Sequence, residues 1–352
     1  MVSVMPHVVA ISAVTVDLNI SISDRGLREL EIDPGSDTQV GERQIEQVWA
    51  KLQAREPLPP PASGGSVSNS ADLLARANLD CALIGVGGDD PFGRHFEGDC
   101  KRVGLQLLYP LQAGLVTGYN LCFSSETGKS TIVWTAGANS HISPRVIEEQ
   151  VIRSAQLLVI DGFTFGYGEN GPATIEHAAN LATRYKVPYV LTLASVEKVE
   201  SYRDLFKNLI PNAYLVAGNL EQAAALAGLS KGAELEEVVR LLDNDVPGLL
   251  ITLGEKGAWA KMGGAKYEVQ PTPVDAIDTT GGGDAFLAGF LVAMQRGLPP
   301  ARALSVGNLV AAEVVRHKGA RLPYEVQVSG LIDAALMHDG PNPNYRALPQ
   351  TS

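Results

Sequence analysis

The sequence predicts an α/β fold of three layers, α/β/α and doubly wound, with a mostly parallel sheet and a small β-sheet lid. Three observations carry that reading. Apolar runs of strand length recur without polar alternation, helical patterns fall between them, and two polar, β-branched, turn-rich stretches interrupt the rhythm. Strands without alternation are buried on both faces, as in a parallel sheet covered by helices, and β-α succession places those helices on both sides.

The strand-length runs are VVAISAVTV from Val8, CALIGVGG from Cys81, QLLVIDGF from Gln156, VPYVLTLA from Val187, AYLVAGN from Ala213 and GLLITLGEKG from Gly248. Between them, SADLLARANL, GPATIEHAANLATRY, NLEQAAALAGL and ELEEVVRLLDN repeat apolar residues with helical spacing. The interruptions are residues 17–40 and 115–138, and the second reads as a hairpin turning at ETGK. Two such excursions can pair into a flap over the sheet ends. The organisation predicted is a main domain of residues 1–16, 41–114 and 139–338, a lid of 17–40 and 115–138, and a loose tail of 339–352. REPLPPPASGG is a Pro-rich connection back to the body.

A chain of 352 residues suits one large α/β core with an excursion. Its formal net charge of −11 argues against a nucleic-acid or anionic-membrane surface. Cys81, Cys100 and Cys122 lack CxxC spacing and the six histidines form no HxxxH or HExxH pattern, so the expectation is reduced thiols, a cytoplasmic protein and no structural zinc. The first twenty residues are apolar but lack a basic leader and are broken by Asp17, which predicts a buried strand rather than a signal peptide.

Residues 275–290, DAIDTTGGGDAFLAGF, carry the chemistry. An apolar helical pattern begins at Asp284 and stops at Gly297, so Gly281, Gly282 and Gly283 lie at a helix N-terminus. Unpaired amides and the positive dipole end make an anion site there, and glycine lets a phosphate approach the backbone. The dipole favours ionised Asp284 by about 0.3–1 kcal/mol, leaving a base beside an oxyanion cradle. Phosphoryl transfer to an alcohol needs that pairing; a plain capping aspartate is the alternative.

DTTGGGD resembles the DTxGAGD signature of the ribokinase-like (PfkB) sugar and nucleoside kinases, with glycine at 282 for the usual alanine. GGSVSNSA matches that family's GGxxxNxA through Gly64, Gly65, Asn69 and Ala71. GVGGDDPFG matches its G-D-x-F-G segment through Gly88, Asp90, Phe92 and Gly93, and TLGEKGA its TxGxxG at Thr252, Gly254 and Gly257. The motifs run in order over about residues 8–325.

The resemblance implies ATP and Mg2+ as cofactors and a small nucleoside or sugar as partner. It makes Asp284 the base that takes the acceptor hydroxyl's proton, with the amides of Gly281 to Gly283 holding the phosphoryl group. Asp17 matches the residue that binds vicinal hydroxyls, although Ser12 stands where the family has glycine, and a strand-end surface aspartate is the alternative. Gly64, Gly65 and Asn69 would line the same pocket. Thr252, Gly254, Gly257 and Thr279 would contact ATP, with Asn219 near the phosphates and Asn308 beside the adenine. Relatives place a ligand for a monovalent cation, K+, at Asp278; a turn aspartate reads equally well. The family's N-x-x-E element appears as Asn219 followed by Gln222, and Glu221 lies one residue, about 100°, off that face.

GGSVSNS, VTGYNLCF with GKSTIV, and residues 187–223 resemble the adenosine-kinase and nucleoside-kinase branch. That implies transfer to the 5′-hydroxyl of a purine ribonucleoside, by a monomer or a homodimer joined through the lid. Phe163 and Phe165 are the candidate base stackers, against an ordinary core role, and Lys129 reads as a solvated lysine. A family sugar kinase is the alternative acceptor class, and a weakly catalytic binding protein, marked by Gln222, the alternative of another kind.

Overall fold

The computed structural model describes residues 6–55, 57–125, 130–337 and 345–348. The ETGK turn with Lys129 lies outside them. In chain order the strands are β1 (Val8–Ile11), β2 (Thr15–Ser21), β3 (Asp37–Gln39), β4 (Ala62–Ser63), β5 (Cys81–Ile84), β6 (Gln106–Leu107), β7 (Thr117–Ser124) and β8 (Ser130–Gly137). They continue as β9 (Leu157–Asp161), β10 (Tyr189–Thr192), β11 (Leu215–Asn219), β12 (Leu249–Thr252), β13 (Ala258–Met262), β14 (Ala265–Val269) and β15 (Tyr345–Leu348).

The larger sheet runs β15-β14-β13-β12-β11-β10-β9-β1-β5-β6. From β6 to β12 every pairing is parallel, and β12 to β15 are antiparallel. Each predicted apolar run supplies one of its strands, and the burial of β1, β5, β9 and β10 on both faces is what the missing alternation implied. Two buried apolar clusters cover the two faces, giving three layers. The tail departs from expectation: Tyr345–Leu348 pairs with β14, whose outer edge otherwise offers unpaired backbone groups.

The run from Val8 divides between two sheets. After Ile11 the chain leaves β1, and the Asn139 side chain takes the place of a strand partner, accepting from the Val14 amide and donating to the Val14 carbonyl, both at 2.9 Å. The chain then enters the second sheet, ordered β3-β8-β7-β2-β4. Both polar excursions meet in it, β2 pairing with β7 and β3 with β8. It begins at Thr15 and takes in Ala62–Ser63, so it reaches beyond residues 17–40 and 115–138. It also has its own core, in which Val16, Leu18 and Ile20 pack with Leu121, Phe123 and Val133 beneath Ile45, Val48 and Leu52 of the Glu42–Gln53 helix. Alternation along β2 therefore puts Asp17 on the opposite, inner face.

Helix Gly282–Gln295 begins two residues before Asp284, making that residue the third of the helix; Gly297, in the left-handed region, follows its end. It crosses helix Pro300–Val314 at Gly289, where a Cβ would come 3.0 Å from the Gly307 Cα and 2.9 Å from Val310 Cγ2. Gly289→Val should therefore push the two helices apart and lower stability by about 1–3 kcal/mol, read as a reduced midpoint in urea unfolding.

Candidate active site

Asp284 is gripped from the neighbouring helix Ser66–Arg76. Ser66 Oγ donates to its Oδ1 at 2.6 Å, Asn69 Nδ2 to its Oδ2 at 3.0 Å, and Ser70 Oγ to its backbone carbonyl at 2.9 Å. The amide of Asn69 has one orientation that serves, because Arg321 Nε, a pure donor, occupies its Oδ1 at 3.0 Å. The Arg321 guanidinium also reaches Asp72 at 3.4 Å and the Gly64 carbonyl at 3.5 Å.

The helix dipole by itself would keep Asp284 ionised. Burial acts the other way and more strongly: it raises the carboxyl pKa to about 6, against the hydrogen bonds from Ser66 and Asn69 and with the charges of Asp161 and Asp17 adding to it. At pH 7 about nine-tenths of such a group is ionised, so it remains a competent base.

Gly281 precedes the helix with φ +75°, and a Cβ there would lie 2.5 Å from the Ala320 carbonyl oxygen. Gly283 is exposed and a Cβ on it would meet nothing within 4 Å. Gly282 and Gly283 open onto a cleft of about 780 Å³, within the range of small-molecule sites. Thr279, Gly282, Gly283, Thr252, Gly254, Gly257 and Asn308 line it. Asn308 is buried, its Nδ2 donating to the Gln270 carbonyl. Asp278 accepts from the Thr280 and Gly319 amides at 2.9 Å each, and these bonds outweigh its burial to hold its pKa below the usual carboxylate value.

Asn219 does not line that cleft. It caps helix Leu220–Ala227: its Oδ1 accepts from the Gln222 amide and its own amide donates to Gln222 Oε1, both at 2.9 Å. Gln222 is thus the closing member of a capping box, and Glu221 points elsewhere, 3.5 Å from Lys231. Among the described residues no group of three or more His, Cys, Asp or Glu is arranged to hold a metal. A magnesium ion held by nucleotide phosphates and water requires no such cage.

Asp17 and Asp161 lie near enough to Asp284 for their charges to act on it. Asp17 Oδ1 accepts from Asn120 Nδ2 at 2.6 Å, and burial raises its pKa against that bond and the Arg321 charge. Gly64 follows β4 so closely that a Cβ would sit 2.5 Å from Asp17 Oδ2, and Gly65 has φ +92°. Phe163 is half-buried, its amide donating to Asp161 Oδ1 at 3.0 Å. Phe165 is a core residue, packed on Phe206 and Tyr202. The structure thus brings Asp284 together with Asn69 and Asp17 together with Gly64, while Asn219 stands in register with the cleft-lining Thr252 and Phe165 packs in the core.

Ser66, Arg321, Asn120 and Asp161 are functional candidates that the folded chain reveals. Period-two alternation along β7 would have put Asn120 on the polar face, opposite Tyr119 and Leu121. Nothing local marks Arg321, whose partners lie about 250 residues away.

This fold and site define a class, the ATP-dependent kinases that phosphorylate an alcohol group. Residues 61–327 match the description pfkB family carbohydrate kinase, and the chain belongs to that family, which uses ATP and typically Mg2+. The chain is 28% identical over 267 residues to a ribokinase from Haemophilus influenzae, covering 74% of this chain and 83% of that protein. It superposes with a TM-score of 0.85 on a probable sugar kinase from Rhizobium etli, at 23% identity over 94% of this chain and 98% of that one. For an adenosine kinase from Sinorhizobium meliloti the TM-score is 0.84, at 24% identity, 94% of this chain and 100% of that one. Among the described residues no helix is long and apolar enough to cross a membrane.

Three outcomes follow from this site. Gly283→Ala should keep the wild-type Tm yet lose activity, since its methyl projects into the cleft, whereas Gly281→Ala should lower both by straining the backbone. With a base of pKa about 6, kcat/KM should fall tenfold per pH unit on the acid side of that value. The raised pKa also makes ionised Asp284 a stability cost that sets in as pH rises from 3.8 through about 6. Asp284→Asn should therefore gain Tm relative to wild type at pH 8 and lose that gain near pH 4.

Proposed function

We propose that the chain is an ATP- and Mg2+-dependent kinase that phosphorylates the 5′-hydroxyl of a purine ribonucleoside such as adenosine, inosine or guanosine. The observation that carries this reading is a row of residues across the inner face of the second sheet. Asp17 stands opposite Asn120, Asn120 opposite Trp134, and Trp134 opposite Gln39. Residues in direct register share a face, and two strand spacings, about 9–10 Å, separate the diol-binding carboxylate from the indole. That is the length of a nucleoside from ribose diol to base, and longer than one sugar ring. Tyr167 meets Trp134 edge-on at 6.5 Å and Lys198 lies 5.7 Å from its ring, so the main domain closes the aromatic corner. Phe163 would add a second apolar surface.

In this reading Asp17 accepts hydrogen bonds from the ribose hydroxyls while Gly64 and Gly65 let the ring lie against the backbone. Asp284 removes the proton as the 5′-oxygen forms its bond to phosphorus, and ADP departs. ATP supplies the phosphoryl group. The amides opening helix Gly282–Gln295 hold its oxygens, and Thr252, Gly254, Gly257, Thr279 and Asn308 line the nucleotide cleft. Residues 17–40 and 115–138 act as the lid that excludes water. Asp278 commits both carboxylate oxygens to loop amides, which favours the turn role; stimulation by K+ would assign that loop to a cation instead. The sugar-kinase alternative draws on the family description and the similarity to a ribokinase.

The test is ADP production from Mg-ATP with adenosine, inosine, guanosine, cytidine, ribose and fructose 6-phosphate. The expected result is a purine-nucleoside signal that collapses in Asp284→Asn, and in which Trp134→Ala raises the acceptor KM about tenfold without changing that of ATP. A sugar-only signal would move the acceptor class, and nucleotide binding without turnover would support a binding protein.

A further inference from the structure

Helix Ser66–Arg76, which grips Asp284, begins without a cap of its own. Its N-cap position is Gly65, which has no side chain to offer, and a Cβ there would lie 3.2 Å from the Ala13 carbonyl oxygen. Buried first-turn amides still need acceptors. Two residues on adjacent strand ends provide them. Ser12 Oγ accepts from the Ser68 amide at 3.2 Å and donates to Asp161 Oδ2 at 2.6 Å. The Asp161 carboxylate also accepts from the Phe163 amide at 3.0 Å, and the Val67 amide beside it favours its charged form. Both residues are only 1% exposed, and a carboxylate so deeply buried is tolerated because its oxygens have donors. Ser68 Oγ completes the joint by donating to the Ala13 carbonyl at 2.7 Å.

We propose that Ser12 and Asp161 are positioning residues for phosphoryl transfer: they cap helix Ser66–Arg76 from β1 and β9 and so fix Ser66 and Asn69 against Asp284. Ser66 is the first residue of that helix and Asn69 the fourth, so a shift of its first turn moves both donors together. Misplacement by about 1 Å is enough to cost on the order of 100-fold in rate. The pair also explains a departure in the sequence, since a glycine at position 12 would leave the Ser68 amide and one oxygen of Asp161 without this partner.

The proposal rests on Asp284 being the base, and the experiment separates the two. Ser12→Ala, Asp161→Asn, the double variant, Asp284→Asn and a control, Val9→Ala, are assayed with Mg-ATP and the acceptor that the wild type turns over fastest among adenosine, inosine, guanosine and ribose. Val9 is buried in β1, in an apolar cluster outside the site. The expected result is a kcat about tenfold lower in each of the first two, KM for ATP within twofold of wild type, and a double variant no worse than the weaker single. Val9→Ala should lose Tm without that loss of kcat. The proposal is overturned if Ser12→Ala loses no more kcat than Val9→Ala, with Asp284→Asn collapsed. Wild-type kcat in Asp284→Asn would instead remove the base reading on which the proposal stands. If Asp161→Asn does not fold, Ser12→Ala alone decides.

Discussion

The clasp of Ser66 and Asn69 on Asp284 is the contact on which the rest of the site depends. A carboxylate in the first turn of a helix, mostly withdrawn from water, has its pKa raised by burial, and two short hydrogen bonds limit that rise to about 6. Without them the pKa would rise further and less of the group would be ionised at pH 7. With them it keeps both ionisation and direction. The clasp in turn requires Asn69 to face one way, which Arg321 secures, and Arg321 requires the buried Asp72 beside it. A single carboxylate thus draws on residues from two other parts of the chain, helix Ser66–Arg76 and Arg321.

Around that contact the fold assigns its parts by backbone chemistry. Parallel strands end together at one edge, where Ser12, Asp161, Asn219 and Thr252 lie at or just past the ends of β1, β9, β11 and β12. Open α/β sheets place ligands outside such carboxyl ends. The glycine-opened helix starts at the same edge, where the Gly282 amide donates to the Thr279 carbonyl at 3.2 Å, and its close crossing at Gly289 and Gly307 ties it to helix Pro300–Val314, which lines the cleft. The second sheet needs a core of its own, since a two-stranded excursion would not hold a flat polar face in place.

Two departures from the family pattern have local physical reasons. Gln222 replaces a glutamate, and the amide side chain completes a capping box with Asn219 just as a glutamate can, so the helix start survives whatever the change does to turnover. Ser12 replaces a glycine and meets Asp161, a carboxylate that would otherwise lie buried with one donor fewer. Each altered side chain has a hydrogen-bonded partner in this chain.

The sequence by itself determined the parallel sheet, the glycine-led helix start and part of the cleft lining, Thr252, Gly254, Gly257, Thr279, Gly282, Gly283 and Asn308, because these depend on local pattern: unbroken apolar runs, and glycines ahead of a helical repeat. It also marked Asp17 and Asp284. Tertiary structure alone decided that the run from Val8 serves two sheets, since burial does not say which neighbour a strand pairs with and Asn139 had to stand in at the crossing. It decided the pairing of Tyr345–Leu348 with β14, and it removed Phe165 into the core. Arg321, Asp161 and the row through Trp134 were likewise invisible. Their roles arise from contacts between segments roughly 15 to 250 residues apart, and such contacts leave no mark in the local pattern of either segment.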